Sequence, residues 1–426
     1  MTRRIRLAAI AAASASLLAG CALLWPPARL PVGPAAGDQV LSPFYRWDGV
    51  LPAQAGALLR DEAQPPQPEI DAASSARRIL YTSTDVRWNS GLIPVSGTLY
   101  LPLGTPPAGG WPLAAWAHGT LGVADSCAPS WAMHKPRDAA YINRWLKAGF
   151  AVVATDYQGL GGPGPHPYLI WQAESRSVLD SARAALAARP GLIANAVIVT
   201  GQSQGSGPAI GSALIARDYA PELKLLGIVG TGVVSTLPDG PYQPPASTVA
   251  GGGAPHYTIL SLVGGGLKDG APPVDALVSH AGQPLLAESR RACSPEVSAL
   301  ARQLKVDMAG AFAVPLDTLA GYRLSVTDMK PPRVDVPLLL GTGLADRLIP
   351  PKRQYGAVAG LCAVGNAVTW KTYVGAGHNG SPHAAFDDAL AFARARLAGQ
   401  AAPGNCASVS PPGEPGATAP GIPYND

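Results

Sequence analysis

Five short runs, Leu113 to Ala117, Ala151 to Thr155, Ala196 to Thr200, Leu225 to Gly230 and Pro337 to Gly341, are apolar almost throughout. A strand with one wet face alternates apolar and polar residues. Runs without alternation read as strands covered on both faces, as in a parallel sheet flanked by helices. Segments of helical period lie between them, for example Gln172 to Ala188 and Ala209 to Tyr219, so the chain keeps a βαβ rhythm. Arg78 to Thr84 and Gly97 to Leu101 read as a preceding hairpin, and Val368 to Val374 as a last strand before a terminal helix around Pro382 to Leu397. The expected class is α/β, with a mostly parallel central sheet and helices on both faces.

From about Ser235 to Pro332 the rhythm breaks. So long a stretch cannot be one structureless loop inside a compact domain, so it reads as an inserted, mostly helical cap. It follows the sixth expected strand and lies above the carboxyl ends of the sheet, where open α/β folds bind ligands. The expected organisation is a leader over 1–20, a Pro-rich tether over 21–43, core over 44–234, cap over 235–332, core again over 333–400, and a tail over 401–426 that reads as mobile from Ala407.

Arg3, Arg4 and Arg6 precede the apolar run Leu7 to Leu18, which is too short for a permanent membrane span and reads as an export signal. Leu18-Ala19-Gly20-Cys21 looks like a bacterial lipobox, making Cys21 an acylated first residue and the protein a membrane-anchored lipoprotein of the cell envelope. The alternative is an ordinary signal peptide, with Cys21 merely near the cut and the protein secreted. Losing residues 1–20 removes three arginines from a net charge of +4, so the remainder stands near +1 and nothing points to nucleic acid. Cys127, Cys293, Cys362 and Cys406 remain, an even number that suits two disulfides in three possible connectivities in an exported chain. None has C-x-x-C or His-rich neighbours, so no metal site is expected.

The run Ala196 to Thr200 leads into Gly201-Gln202-Ser203-Gln204-Gly205 and then a small-residue helical stretch. With 49 Gly in the chain, roughly 0.4 chance matches to this spacing are expected. The context is what selects it: Ser203 alone among the serines has Gly two residues before and two after, at the point where a buried strand ends. Such a turn lifts a hydroxyl above the sheet at a helix N-terminus.

An exposed nucleophile needs a base, and the base needs a group to fix its tautomer. With the order Ser, acid, His, the histidines before Ser203 drop out and His256 and His280 fall in the cap. Of the remaining pair, His383 belongs on the terminal helix. His378, in Gly375-Ala376-Gly377-His378-Asn379-Gly380, is the expected base. Asp346 emerges beyond the strand Pro337 to Gly341 and is the expected acid; Asp335 precedes that strand and belongs at the opposite end of the sheet. Acyl transfer also needs donors aimed at the developing oxyanion. The backbone N–H groups of Gln204 and Thr120, the latter in His118-Gly119-Thr120, are the candidates. His118 and Asp156-Tyr157 read as structural neighbours of the pocket.

With His118-Gly119-Thr120, Cys127-Ala128-Pro129-Ser130, Asp156-Tyr157-Gln158-Gly159-Leu160, Pro165-His166-Pro167-Tyr168, Gly201 to Gly205, Asp346 with Pro350, and Gly377-His378 in order, the sequence resembles the secretory lipases, the fungal Candida-type enzymes and their bacterial relatives. The resemblance runs from about Phe44 to Leu397. It implies an α/β-hydrolase with a helical cap that cleaves lipid or small carboxylic esters through an acyl-enzyme, without metal or organic cofactor. It also implies the pairing of Cys127 with Cys293 and of Cys362 with Cys406. The lipobox and the Gly-rich cap depart from the family pattern.

Envelope acyl transfer would use the same Ser203, His378 and Asp346, and an idle hydrolase-fold binding protein would not need all three. In the cap, Gly251-Gly252-Gly253 and Gly264-Gly265-Gly266 flank the apolar island Tyr257 to Val263. Ile259, Leu260, Leu262 and Val263 there either wall an acyl site or form the cap's own core.

Overall fold

The computed structural model describes residues 29–237, 254–330 and 333–425. The leader, Cys21, the rest of the tether up to residue 28 and the run Gly251 to Gly253 lie outside the described residues. Nine strands form one sheet among the described residues: β1 Leu58–Ala63, β2 Ala73–Asp85, β3 Gly91–Pro102, β4 Trp111–Ala117, β5 Ala151–Thr155, β6 Ile193–Gln202, β7 Leu225–Thr231, β8 Leu338–Gly343 and β9 Val368–Tyr373. Their order is β1-β2-β3-β5-β4-β6-β7-β8-β9. β1 to β3 are an antiparallel edge, β3 meets β5 antiparallel, and every pairing from β5 to β9 is parallel.

The absence of alternation in the five apolar runs has a direct cause. On β4, Leu113, Ala115 and Ala117 enter one core with the helices Trp171–Ala188, Ser206–Tyr219 and Pro351–Ala363. Ala114 and Trp116 enter the other, with the helices Pro136–Lys147 and Phe386–Leu397. Both faces are dry, so period-two alternation disappears.

β1 was not expected, which makes the strand before the insertion the seventh rather than the sixth. Its sequence, Leu58-Leu59-Arg60-Asp61-Glu62-Ala63, carries no apolar stripe because it is an edge strand. It is held by charge across the pair instead: Arg77 Nε meets Asp61 Oδ1 at 2.6 Å, and Arg78 pairs with Glu62.

Between β7 and β8 the described residues hold short helices, chiefly Pro255–Val263, Gln283–Ser289, Ser294–Leu304 and Leu316–Tyr322. Proline at or next to the first helical position starts several of them, where its missing N–H is harmless. They share an apolar core with Tyr168, Leu169 and Ile170, from the loop beneath. The expected disulfides both form. Cys127–Cys293 ties the loop after β4 to the insertion, and Cys362–Cys406 ties the helix Pro351–Ala363 to the tail.

The tail is not a mobile appendage as its composition suggests. Gly416 N–H bonds Leu344 O at 2.9 Å, Ala419 N–H bonds Gly375 O at 2.8 Å, and Lys352 Nζ meets Glu414 at 2.5 Å. Asn425 Oδ1 accepts from Gly377 N–H at 2.6 Å, while its amide donates to Gly375 O at 2.8 Å. Proline and glycine lower the apolar content of this segment, but its backbone polar groups find partners on the loops after β8 and β9.

Candidate active site

Ser203 sits where β6 ends and a single 3₁₀ turn, Ser203–Gly205, opens the helix Ser206–Tyr219. Its φ of 56° is left-handed, a strain that the surroundings must hold. The flanking glycines explain how the turn closes. A Cβ on Gly201 would collide with Gly205 O, and one on Gly205 with Ala117 O at the end of β4. Ser206 Oγ then donates to Ser203 O at 2.7 Å.

His378 leaves the loop after β9, and Asp346 leaves the loop after β8. The structure brings both to Ser203: Ser203 Oγ lies 2.8 Å from His378 Nε2, and His378 Nδ1 lies 2.8 Å from Asp346 Oδ2. A carboxylate only accepts, so Nδ1 carries the proton and Nε2 is left to accept from the serine hydroxyl. Asp346 is fully buried, at 0% exposure, and its charge is met by four donors. Besides His378, Gln354 Nε2 donates to Oδ2 at 2.9 Å, and the N–H groups of Leu348 and Ile349 donate to Oδ1 at 3.0 and 2.8 Å. Gln202 Nε2 and Ser381 Oγ both donate to His378 O, at 3.1 and 2.9 Å. Asp335, by contrast, is three-quarters exposed beside Arg217.

Thr120 and Gln204 border the same cavity as Ser203 and His378, a space of about 180 Å³. Thr120 Oγ1 shares a 2.8 Å hydrogen bond with Tyr168 OH. The Gln204 side chain points into a buried polar knot. Its Nε2 donates to Glu174 Oε1 at 2.7 Å and to His166 Nε2 at 2.8 Å, while His166 Nδ1–H donates to Gln158 O at 2.9 Å. Burial pushes the Glu174 carboxyl up to about 8 and His166 down to about 3, so both are neutral at pH 7 and their approach is no ion pair.

His118 and Asp156-Tyr157 are structural. His118 Nδ1–H donates to Gly119 O at 2.7 Å, and Tyr157 OH donates to His118 O at 3.0 Å. Burial raises Asp156 to about 6; its carboxyl accepts from Ser96 Oγ at 2.6 Å and Ser130 N–H at 2.9 Å.

Ile259, Leu260, Leu262 and Val263 do not wall this cavity. They lie on the helix Pro255–Val263 with exposures of 0, 0, 1 and 7%, packed into the insertion's own core with Leu285, Leu286 and Val297. Four apolar residues within five positions of one helix cannot all face a pocket; here they are enclosed by neighbouring helices. The residue of that helix that reaches the cavity is Tyr257, alongside Leu169, Val234 and Ile349. Among the described residues no group of three or more His, Cys, Asp and Glu could hold a metal ion.

Sequence reasoning missed Gln354, Gln202 and Glu174 as supports of the site. No local pattern marks them: Gln354 stands eight residues from the carboxylate it binds, and Glu174 thirty from Gln204. Arg137, bonded through Nη1 to Asn379 Oδ1 beside His378, escaped notice for the same reason.

Residues 130–240 match the family model described as secretory lipase. No curated protein matches the chain in sequence. Among solved structures, lipase A of Candida antarctica in its closed state is similar at 18% identity, with 89% of this chain and 90% of that one covered and a TM-score of 0.65. A hydrolase of Legionella pneumophila matches at 18% identity over 81% of this chain and 99% of its own, with a TM-score of 0.58. A rice cell wall degrading esterase of Xanthomonas oryzae, in a ligand-bound form, matches at 16% identity over 82% of this chain and 100% of its own, with a TM-score of 0.58. At such identities the structural likeness speaks for the fold, which is that of the α/β-hydrolases. None of the described helices is long and apolar enough to cross a membrane.

Proposed function

We propose that this α/β-hydrolase, whose residues 130–240 match the secretory lipase model, is a carboxylic ester hydrolase that works through Ser203, His378 and Asp346. Ser203 Oγ attacks the ester carbonyl as His378 Nε2 takes its proton. Asp346 holds the imidazole tautomer and faces the imidazolium that forms. The backbone N–H groups of Gln204, at the positive end of a helix, and of Thr120 stabilise the tetrahedral oxyanion. His378 passes its proton to the departing alcohol, and water, deprotonated by the same nitrogen, releases the acid from Ser203.

The observation that carries this reading is the hydrogen-bonded line from Ser203 through His378 to a buried, four-donor Asp346. The experiment is fluorophosphonate labelling together with turnover of p-nitrophenyl esters. The wild type should react with both. Ser203→Ala should lose both by several orders of magnitude while keeping its fold; more than a few per cent residual turnover would remove Ser203 from the mechanism.

The substrates proposed are lipid or small esters. The helices between Pro255 and Tyr322 act as the cap over the site. A lipid on Cys21 would hold the exported protein at the envelope, and an unmodified N-terminus in intact-mass measurement would refute that anchor.

A further inference from the structure

Beside the cavity over Ser203 lies a second hollow of about 630 Å³. Thr120, Arg137, Tyr257 and Asn379 border both. Asn379 follows His378, the residue that protonates the departing oxygen in the mechanism above. The larger hollow therefore lies next to the base that would protonate the alcohol half of an ester.

The walls of this groove suit a polar group and not an alkyl chain. Among the described residues no Leu, Ile, Val, Phe or Met lines it, and its aliphatic surfaces are two prolines and hydrocarbon stems. Tyr257 and Tyr424 offer rings with polar tips, and two cations face the space, Arg137 and Lys135. The guanidinium of Arg137 is engaged, with Nε on Asp138 Oδ1 at 2.9 Å and Nη1 on Asn379. Lys135 is different. Among the described residues its ammonium has neither an ion pair nor a hydrogen bond. Asp138, the carboxylate nearest in sequence, is held by Arg137, and Glu296 is exposed and acts only through space. Burial, followed by the Arg137 charge, holds the Lys135 pKa below its usual value, an environment that an incoming anion would relieve.

We propose that this groove receives the alcohol half of an ester that carries a carboxylate or phosphate, with Lys135 as its counter-charge. The inference rests on the serine-hydrolase reading and adds the substrate class. An anion there gains a charge-assisted hydrogen bond in a partly desolvated place, where such bonds are strongest.

Three acetates test it: 4-acetoxybenzoate and 4-acetoxyphenyl phosphate, each charged, and the neutral 4-acetoxybenzamide. The readout is the ratio of kcat/KM for charged over neutral ester, compared between variants so that intrinsic leaving-group reactivity cancels. Lys135→Gln should lower that ratio about tenfold, the low end for a charge-assisted hydrogen bond. Lys135→Glu should lower it further, Lys135→Arg should keep it, and added salt should erode it in the wild type but not in Lys135→Gln. The charged ester with the larger drop identifies the group the site prefers. An equal ratio in wild type and Lys135→Gln overturns the proposal. Failure of the wild type on all three esters would instead overturn the hydrolase reading beneath it.

Discussion

Asp346→Asn isolates the step on which the proposed mechanism depends. The carboxylate presents acceptors on both oxygens, to Leu348 and Ile349 N–H on one side and to His378 and Gln354 on the other. An asparagine has one acceptor atom. If it keeps the two backbone N–H groups, its amide NH₂ faces His378 Nδ1. Two donors cannot share that contact, so the ring must carry its proton on Nε2, where it can no longer accept from Ser203. The imidazolium also loses its counter-charge. At the 2.8 Å separation seen here, a unit-charge pair in an effective dielectric of 20 is worth roughly 6 kcal/mol. Loss of the acid in a serine triad with its geometry retained lowers kcat about 10⁴-fold, or roughly 5 kcal/mol, so the two estimates agree. The assay is kcat and kcat/KM on p-nitrophenyl butyrate between pH 6 and 9, with a thermal melt to show that the chain is folded. Asp335→Asn, at an exposed site beside Arg217, is the control and should change little. A folded Asp346→Asn enzyme within tenfold of wild type would refute the reasoning.

Leu260→Ala should destabilise the protein by about 2–5 kcal/mol as a cavity in the insertion's core, with the ratio of butyrate to octanoate turnover unchanged; a shifted ratio at unchanged melting temperature would return this residue to the acyl wall. Glu174 binds its proton up to about pH 8 in the folded chain but only to about its ordinary 4.5 when unfolded, so its contribution makes stability fall as pH rises through that window. Glu174→Gln should flatten that fall in a series of denaturant melts, and an identical slope in the variant would show that Glu174 does not titrate there. Asn425→Ala removes the clamp on Gly377 and should lower kcat severalfold with a smaller change in KM, because small misplacements of a base are costly. Unchanged kcat with a lowered melting temperature would make Asn425 structural only.

How much of this molecule its sequence discloses depends on whether the determining interactions are local. The buried strands were visible because two dry faces produce unbroken apolar runs, and the meeting of Ser203, Asp346 and His378 was legible because topology places strand ends together in a fixed order. β1 was invisible because an edge strand can be held by Asp61 and Glu62 against Arg77 and Arg78 without any apolar stripe. The tail was misjudged because composition predicts mobility only where backbone groups lack partners, and Asn425 supplies several at once. The island Ile259 to Val263 announced burial, but an apolar run does not say what it is buried against.

The two flanks of Ser203 are held by opposite electrostatic strategies, and the reaction explains why both are needed. On the His378 flank a positive charge develops in the proposed mechanism, and there the fully buried Asp346 carboxyl accepts from four donors. On the Gln204 flank the same mechanism develops a negative charge on the carbonyl oxygen, and an ionised acid nearby would oppose it. Glu174 lies one hydrogen bond from Gln204, yet it has far fewer donors for its burial, and its pKa of about 8 leaves it neutral at pH 7. His166, neutral as well, accepts from the same Gln204 amide and so helps fix that residue without adding charge of either sign. The knot can therefore anchor Gln204 while leaving the helix N-terminus as the field that acts on the oxyanion. Two buried carboxyl groups close to one serine thus differ in the donors each is given, four for Asp346 and two for Glu174.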